Sequence, residues 1–257
     1  MDLIDTHCHL TAEAFDANRE AVLARAAVAG VAGMITIGTD RADSRAAAEL
    51  AASRPDVWFA AGIHPHEAAR ARPDDLAELQ RMWAEPRCVA VGEIGLDYHY
   101  DFSPRRTQQE WFARQLEAAG PTGRPVVVHS REAFEDTAAI LEHCGYVGRP
   151  VVFHCFGGDA AQAHQIAARG WRISFTGTVT FRKAVTLHEV ARSYPLEALL
   201  IETDCPYLSP EPVRHLRPNE PAHLVHVAAF LARLRGMSLE AIAAATTAAA
   251  RAFFGLR

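Results

Sequence analysis

One residue type is almost missing from this chain. Among 26 basic residues, Lys183 is the only lysine. A site built on a lysine amine or a carbamylated lysine therefore has a single position open to it. Cysteine is sparse too: five in 257 residues, an odd number, with no Cys-x-x-Cys spacing. That usage argues against a disulfide framework and for reduced thiols in a cytoplasmic protein. No uninterrupted apolar run is long enough to span a bilayer, so no membrane association is expected. The first residues include Asp2 and Asp5 and lack the basic stretch of a secretory signal. A surplus of positive charge is also absent. The net charge of −5 argues against a broad basic face that coats duplex nucleic acid. It leaves a nuclease open, because metal ions can concentrate positive charge in a site. No Gly-x-Gly-x-x-Gly follows the first apolar run, so a nucleotide-binding sheet has no support. Nothing in the composition marks a stable protein partner.

What is present is an alternation. A short apolar run followed by a helical stretch recurs eight times. Leu3–His7 precedes an Ala-rich stretch from about 14 to 29, Met34–Gly38 precedes 43–53, and Val57–Ile63 precedes 74–84. Cys88–Ile94 leads through a loop to a helix with Ser103 expected as N-cap and Pro104 as its first residue, stopped by Gly120-Pro121-Thr122-Gly123. Val126–His129, Val151–His154, Trp171–Phe175 and Leu199–Glu202 complete the set, the last followed by two helices near 221–234 and 238–253. Runs without polar alternation suit parallel strands buried on both faces. Eight strand–helix units in about 250 residues fit an α/β fold of the (β/α)8 TIM-barrel type. The expectation is one such domain over residues 1–257, with an open doubly wound sheet as the alternative.

In a barrel, chemistry collects at the C-terminal strand ends. The first run ends in Asp5-Thr6-His7-Cys8-His9, where alternation puts the two imidazoles on one side and Cys8 on the other. The fourth ends in Gly92-Glu93-Ile94-Gly95, the fifth in His129, the sixth in His154, and Asp204 follows the eighth. Four imidazoles and two carboxylates at one rim are hard to read as core residues. Six ligands exceed what one catalytic ion with open positions needs. They suit two ions about 3.5–4 Å apart that orient a water and clamp an oxyanion. Strand order makes Glu93 the natural bridge.

The segments His7-Cys8-His9, Gly62-Ile63-His64-Pro65-His66, Gly92–Asp97, Val128–Arg131, His154–Gly158, Gly177–Phe181 and Glu202–Leu208 together resemble the TatD family of metal-dependent deoxyribonucleases. They run in family order from residue 4 to about 221. The resemblance implies a metal-dependent hydrolase barrel that cleaves DNA phosphodiesters, often from the 3′ end, with roles in DNA repair or degradation. It implies that His7, His9 and Asp204 hold one ion, His129 and His154 the other, and Glu93 both. Three departures touch no ligand. Arg217-Pro218-Asn219-Glu220-Pro221 carries an extra residue, Ala stands near 249 where the family has Asn, and the Gly120–Gly123 turn interrupts a helix.

The remaining candidates are softer. His64 is expected to act in catalysis, on a phosphate or leaving group or as an added ligand, while His66 reads as a solvated loop histidine. Arg131 suits bidentate phosphate binding or a surface helix start. Asp97 either orients a ligand imidazole or caps a turn. Arg214 either meets phosphate or is merely exposed. Tyr98, Tyr100, Phe102 and Phe181 fall in rim loops, where they stack bases or cover the core. Asp204 is the expected base. The leading function is a 3′–5′ exonuclease on single-stranded DNA ends. The alternative is hydrolysis of another ester or amide, on aminoacyl-tRNA or a small molecule; a lysine-bridged version is nearly excluded, because the strand-four position is Glu93. Ligand softness favours Zn²⁺, Mn²⁺ or Fe²⁺. The resemblance implies Mg²⁺ or Mn²⁺ for activity.

Overall fold

The structure, a computed structural model, describes residues 1–256. Its eight strands are β1 (Leu3–Cys8), β2 (Val31–Ile37), β3 (Val57–Ala61), β4 (Cys88–Asp97), β5 (Val126–Arg131), β6 (Val151–Phe153), β7 (Arg172–Phe175) and β8 (Leu199–Ile201). They follow one another in sheet order from β1 to β8. The helices are α1 (Arg19–Val28), α2 (Arg41–Ser53), α3 (Pro73–Trp83), α4 (Arg105–Ala119), α5 (Phe134–His143), α6 (Ala160–Ala168), α7 (Val185–Ser193), α8 (Leu224–Arg235) and α9 (Leu239–Phe254). None of these helices is long and apolar enough to cross a membrane.

The chain divides into two compact units. The terminal unit comprises Met1–Thr36, Cys155–Gln165 and Arg172–Arg257; the central unit comprises Ile37–His154 and Ile166–Trp171. In the terminal unit β1 pairs in parallel with β2, and β7 with β8. Every residue of β1 is buried, as a strand covered on both faces requires. The α9 helix starts at Ser238, whose hydroxyl accepts the Ala241 N–H at 3.1 Å, and packs on β1. The Thr247 hydroxyl then donates to the Asp2 carbonyl at 2.7 Å, fastening the two.

In the central unit β3, β4, β5 and β6 pair in parallel. β4 is the longest strand, and all ten of its residues are buried. It runs past the expected end at Ile94 to Asp97, paired with β5 down to Arg131. That continuation depends on Gly95, at φ 142°, where a Cβ would lie 2.0 Å from the His129 carbonyl oxygen. Gly92, at φ 152°, is equally intolerant, a Cβ there falling 2.7 Å from the Val127 carbonyl oxygen. The two glycines of Gly92-Glu93-Ile94-Gly95 therefore let β4 lie close against β5 on either side of Glu93.

Two helix starts differ from expectation. The α1 helix begins at Arg19; before it a 3-10 turn, Glu13–Phe15, tucks Phe15 into the core. Ser103 does not cap α4. Its hydroxyl donates to the His66 carbonyl at 2.8 Å and accepts the Ala69 N–H at 3.0 Å, so it ties two loops together.

Candidate active site

The terminal unit holds His7, His9 and Asp204, whose nearest ligand atoms all lie within 4.8 Å of one another. Backbone pairing sets their positions. The Asp204 N–H donates to the His7 carbonyl at 2.9 Å, and the His9 N–H donates to the Cys205 carbonyl at 2.8 Å. Behind this pairing lies Asp5, which the sequence reading passed over. Its fully buried carboxylate accepts the Thr203 hydroxyl at 2.6 Å, the Thr203 N–H at 3.0 Å and the His7 N–H at 3.3 Å. Burial pushes its pKa up to about 7, against the pull of the Thr203 bonds. Asn219, also buried, donates to the Thr203 and Tyr207 carbonyls at 3.0 and 2.6 Å and so braces the loop that carries Asp204. The imidazole Nε2 atoms of His7 and His9 stand 3.7 and 3.4 Å from Asp204 Oδ1. Cys8 turns the other way and packs in the core, its thiol donating to the Ile35 carbonyl.

The central unit holds Glu93, His129 and His154 as a second such group. Glu93 Oε1 lies 2.7 Å from His129 Nδ1, 2.6 Å from His154 Nε2 and 3.4 Å from His64 Nε2. The other nitrogen of His129, Nε2, lies 2.9 Å from Asp97 Oδ2. Asp97 also meets His66 Nε2 at 3.0 Å and accepts the N–H groups of His99 and Tyr100 on Oδ1 at 2.9 and 3.0 Å. Burial of Asp97 opposes its ionisation. The two imidazoles and the Tyr100 N–H outweigh burial and hold the carboxyl well below the usual carboxylate range. His129 shows the mirror effect: burial lowers its basicity, while Asp97 and Glu93 together raise it above the ordinary value. For His64 burial prevails, with the Glu93 charge opposing, and the pKa is pushed down to about 4. His64 Nδ1 accepts the His66 N–H at 3.1 Å. The proton of the neutral ring is thereby placed on Nε2, facing Glu93.

Two glutamines of α4, absent from the sequence-derived candidates, set this cluster. Gln108 Oε1 accepts the Asp97 N–H at 2.8 Å, and its Nε2 donates to the Asp97 and Ser103 carbonyls at 2.9 and 2.8 Å. Gln115, two turns along the same face, does the same for Ile63, accepting its N–H at 2.7 Å and donating to its carbonyl at 3.1 Å. The residue before His64 and the carboxylate residue that meets His129 Nε2 are thus held by one helix.

The six expected ligands fall into these two groups of three. Asp97 and His64 join the central group. So does His66, which is half-buried against Asp97 rather than solvated in a loop. Arg131 ends β5 with its guanidinium 4.6 Å from the Tyr100 ring centroid. Arg214 lies elsewhere, 3.9 Å from the Phe181 ring centroid and 3.8 Å from Glu211. Lys183 precedes α7 and is exposed.

The donor sets fit divalent cations. With the His129 Nε2 proton given to Asp97, Nδ1 turns its lone pair toward Glu93 and toward His154 Nε2, 3.4 Å away. Two ring nitrogens this close beside a carboxylate oxygen repel one another unless a proton or a cation lies among them. A carboxylate behind a ligand imidazole is also the usual means of fixing its orientation. In the terminal unit two imidazoles facing one carboxylate form an equivalent mixed nitrogen and oxygen set.

A family model described as TatD related DNase matches residues 4–255. The chain belongs to the TatD family. Among curated proteins, YabD of Bacillus subtilis strain 168, named an uncharacterized metal-dependent hydrolase, is 39% identical over 98% of this chain and 98% of its own. A Citrobacter rodentium protein named 3′-5′ ssDNA/RNA exonuclease TatD is 37% identical, covering 99% of this chain and 98% of its own. Among solved structures, the TatD homologue YJJV of Escherichia coli K12 superposes with a TM-score of 0.93 at 32% identity, covering 99% of this chain and 98% of its own. The fold is therefore a (β/α)8 barrel, and this TatD-family protein is a metal-dependent hydrolase.

Proposed function

We propose that this TatD-family enzyme is a 3′–5′ exonuclease acting on single-stranded nucleic-acid ends, DNA above all, in repair or degradation of DNA in the cytoplasm. The observation that carries this reading is the relay Asp97–His129–Glu93–His154, in which two imidazoles converge on one carboxylate oxygen. The similarity to proteins named 3′-5′ ssDNA/RNA exonuclease supports the substrate class. The five free thiols suit a reducing compartment.

His7, His9 and Asp204 would hold one divalent ion, Mg²⁺ or Mn²⁺ in the working enzyme, with Zn²⁺ also compatible with the ligands. Glu93, His129 and His154 would hold a second. The chemistry such ions supply is Lewis acidity, which favours deprotonation of water and offsets charge on phosphoryl oxygens. The protein's own residues do the rest. Asp97 accepts the His129 Nε2–H and keeps the ring in one orientation. His64, its proton on Nε2, steadies the Glu93 carboxylate. Asp204 is a carboxylate braced by backbone bonds and takes the proton of the attacking water. Arg131, exposed at the end of β5, offers a planar pair of donors to a phosphate.

A substrate panel on metal-stripped protein tests the reading. Single strands blocked at the 3′ or 5′ end, duplex, RNA, an aminoacyl-tRNA and a lactone are each offered with Mg²⁺, Mn²⁺ and Zn²⁺. Metal-restored shortening of single strands with free 3′ ends is expected, and blocking that end should stop it. Turnover of the lactone or the aminoacyl ester with no oligonucleotide cleavage would replace the nuclease assignment with the ester hydrolase one.

A further inference from the structure

The loop from β4 to α4 carries two large aromatic side chains in the open. Phe102 is 66% exposed and Tyr100 48% exposed. They are not scattered apolar residues of the kind every surface has. Their rings are parallel within 3°, with centroids 5.4 Å apart. The Arg131 guanidinium lies over Tyr100, and the His66 ring packs edge-on against both, 4.8 Å from Phe102 and 5.7 Å from Tyr100. The loop beneath is held firmly. Tyr100 N–H and His99 N–H bond Asp97, and Ser103 bonds His66 and Gln108. One side of the stack is tied to the central cluster through His66, whose Nε2 meets the same Asp97 oxygen that orients His129. An aromatic that covers a core buries its faces; Phe102 leaves most of its surface in solvent.

We propose that Phe102 and Tyr100, with Arg131 beside them, form a stacking subsite for a nucleobase of a single-stranded end whose phosphodiester is at the central cluster. The proposal rests on the nuclease reading above and specifies how the strand is held apart from its phosphate. Every base has a π face, so a stacking platform accepts all four, as an exonuclease that removes successive nucleotides requires. A guanidinium is the right neighbour, because it both stacks on an aromatic ring and attracts the phosphate of the same strand. A base paired and stacked within duplex has its faces covered already. A single-stranded end offers a bare one, so the platform itself favours that end.

Phe102→Ala, Phe102→Leu and Phe102→Trp separate stacking from bulk, and Phe102 is exposed enough that none should disturb folding. Binding is read in chelator as fluorescence quenching of 2-aminopurine placed at each of the last four positions of a single-stranded oligonucleotide. Turnover is read with Mn²⁺ on the same strands, intact or with an abasic site at each of those positions. Phe102→Ala and Phe102→Leu should weaken binding and raise KM by about 5- to 150-fold, with kcat little changed, and Phe102→Trp should restore both. At one position the abasic strand should cost the parental protein the same factor and cost Phe102→Ala nothing further. Parental quenching and KM in Phe102→Ala, or equal abasic penalties in both proteins at all positions, would overturn the subsite while leaving the nuclease intact. If the parental protein cleaves no oligonucleotide with any metal, the nuclease reading falls and the subsite falls with it.

Discussion

The two candidate ligand clusters are built by different means. In the terminal unit the ligands are placed by main chain: His7 and Cys205 carbonyls accept the N–H groups of Asp204 and His9, and Asp5 clamps Thr203 to β1. The two imidazole Nε2 atoms stay 3.7 and 3.4 Å from Asp204 Oδ1. In the central unit the ligands are placed by other side chains. Glu93 is reached by two imidazoles at 2.6 and 2.7 Å, and Asp97, His64, His66 and Gln108 stand behind them. The terminal site hangs on backbone pairing with two side-chain braces behind it, Asp5 and Asn219, so few substitutions outside the ligands and those two should move it. A site hung on a polar relay is orientated more tightly and can be loosened from several positions.

Metal removal should have the largest effect, since it strips both clusters at once. Exhaustive chelation should abolish nucleic-acid cleavage, and Mn²⁺ or Mg²⁺ should restore it; cleavage by protein shown metal-free by elemental analysis would break the mechanism for both. Next in size is Glu93→Gln, which keeps shape but removes the charge that faces two imidazoles. Turnover should fall by on the order of a thousandfold, the scale of losing one strong electrostatic element. Circular dichroism in chelator should match the parent. The metal count sharpens the comparison: loss of one ion per chain confines Glu93 to the central cluster, and loss of both gives it the bridging role expected from strand order.

Single-ligand changes probe the clusters separately. His9→Ala should empty the terminal site and leave the central ion, and His154→Ala should do the converse, each measured as one ion retained per chain. If either change releases both ions, the clusters do not bind independently. A finer contrast comes from Asp97→Asn, which leaves Oδ1 for the His99 and Tyr100 N–H groups but turns Oδ2 into a donor facing His129 and His66. Central-site affinity should drop about 10- to 100-fold, with the terminal site unchanged, as read by calorimetric titration of metal into stripped protein. An unchanged central affinity would show that Asp97 does not orient His129.

The sequence made the strand ends legible because a parallel strand buried on both faces is a nearly continuous apolar run, and a polar residue at its end stands out. His7, His129 and His154 stand out for that reason, and Glu93 because it interrupts an apolar run, although β4 continues past it to Asp97. Their supports do not. Asp5 precedes a ligand by two positions and reads as another charged residue at a strand end, yet it is the clamp between β1 and the loop after β8. Gln108 and Gln115 lie among Trp111, Phe112 and Leu116 on the buried face of α4, where a helical pattern records only which positions are inside. A buried glutamine two turns from another is the one available signal, and its meaning depends on which backbone it meets. Ser103 failed as a cap for the same reason: its hydroxyl is taken by a segment some 37 residues distant in sequence.

Gln108→Leu is the mildest test of the contrast and the one most particular to the central cluster. The glutamine is buried and makes three hydrogen bonds, two to Asp97 backbone groups and one to the Ser103 carbonyl. Leucine fills similar space and satisfies none of them. Leaving a buried backbone donor and acceptors without partners costs about 1–3 kcal/mol. At roughly 2–4 °C per kcal/mol for a chain of this size, the melting temperature should fall by about 2–12 °C. The effect on metal should be indirect. β4 keeps its pairing with β5, so Asp97 is displaced only as far as its freed N–H and carbonyl allow, and central-site affinity should fall less than in Asp97→Asn. Activity should fall by a few-fold while the terminal ion is retained. Gln108→Glu is the companion variant: Oε1 can still accept the Asp97 N–H, but its second oxygen faces two carbonyls, so it should be at least as destabilised. A Gln108→Leu protein with parental melting temperature and parental central-site affinity would show that α4 does not hold Asp97, and the pairing of β4 with β5 would then suffice to place it.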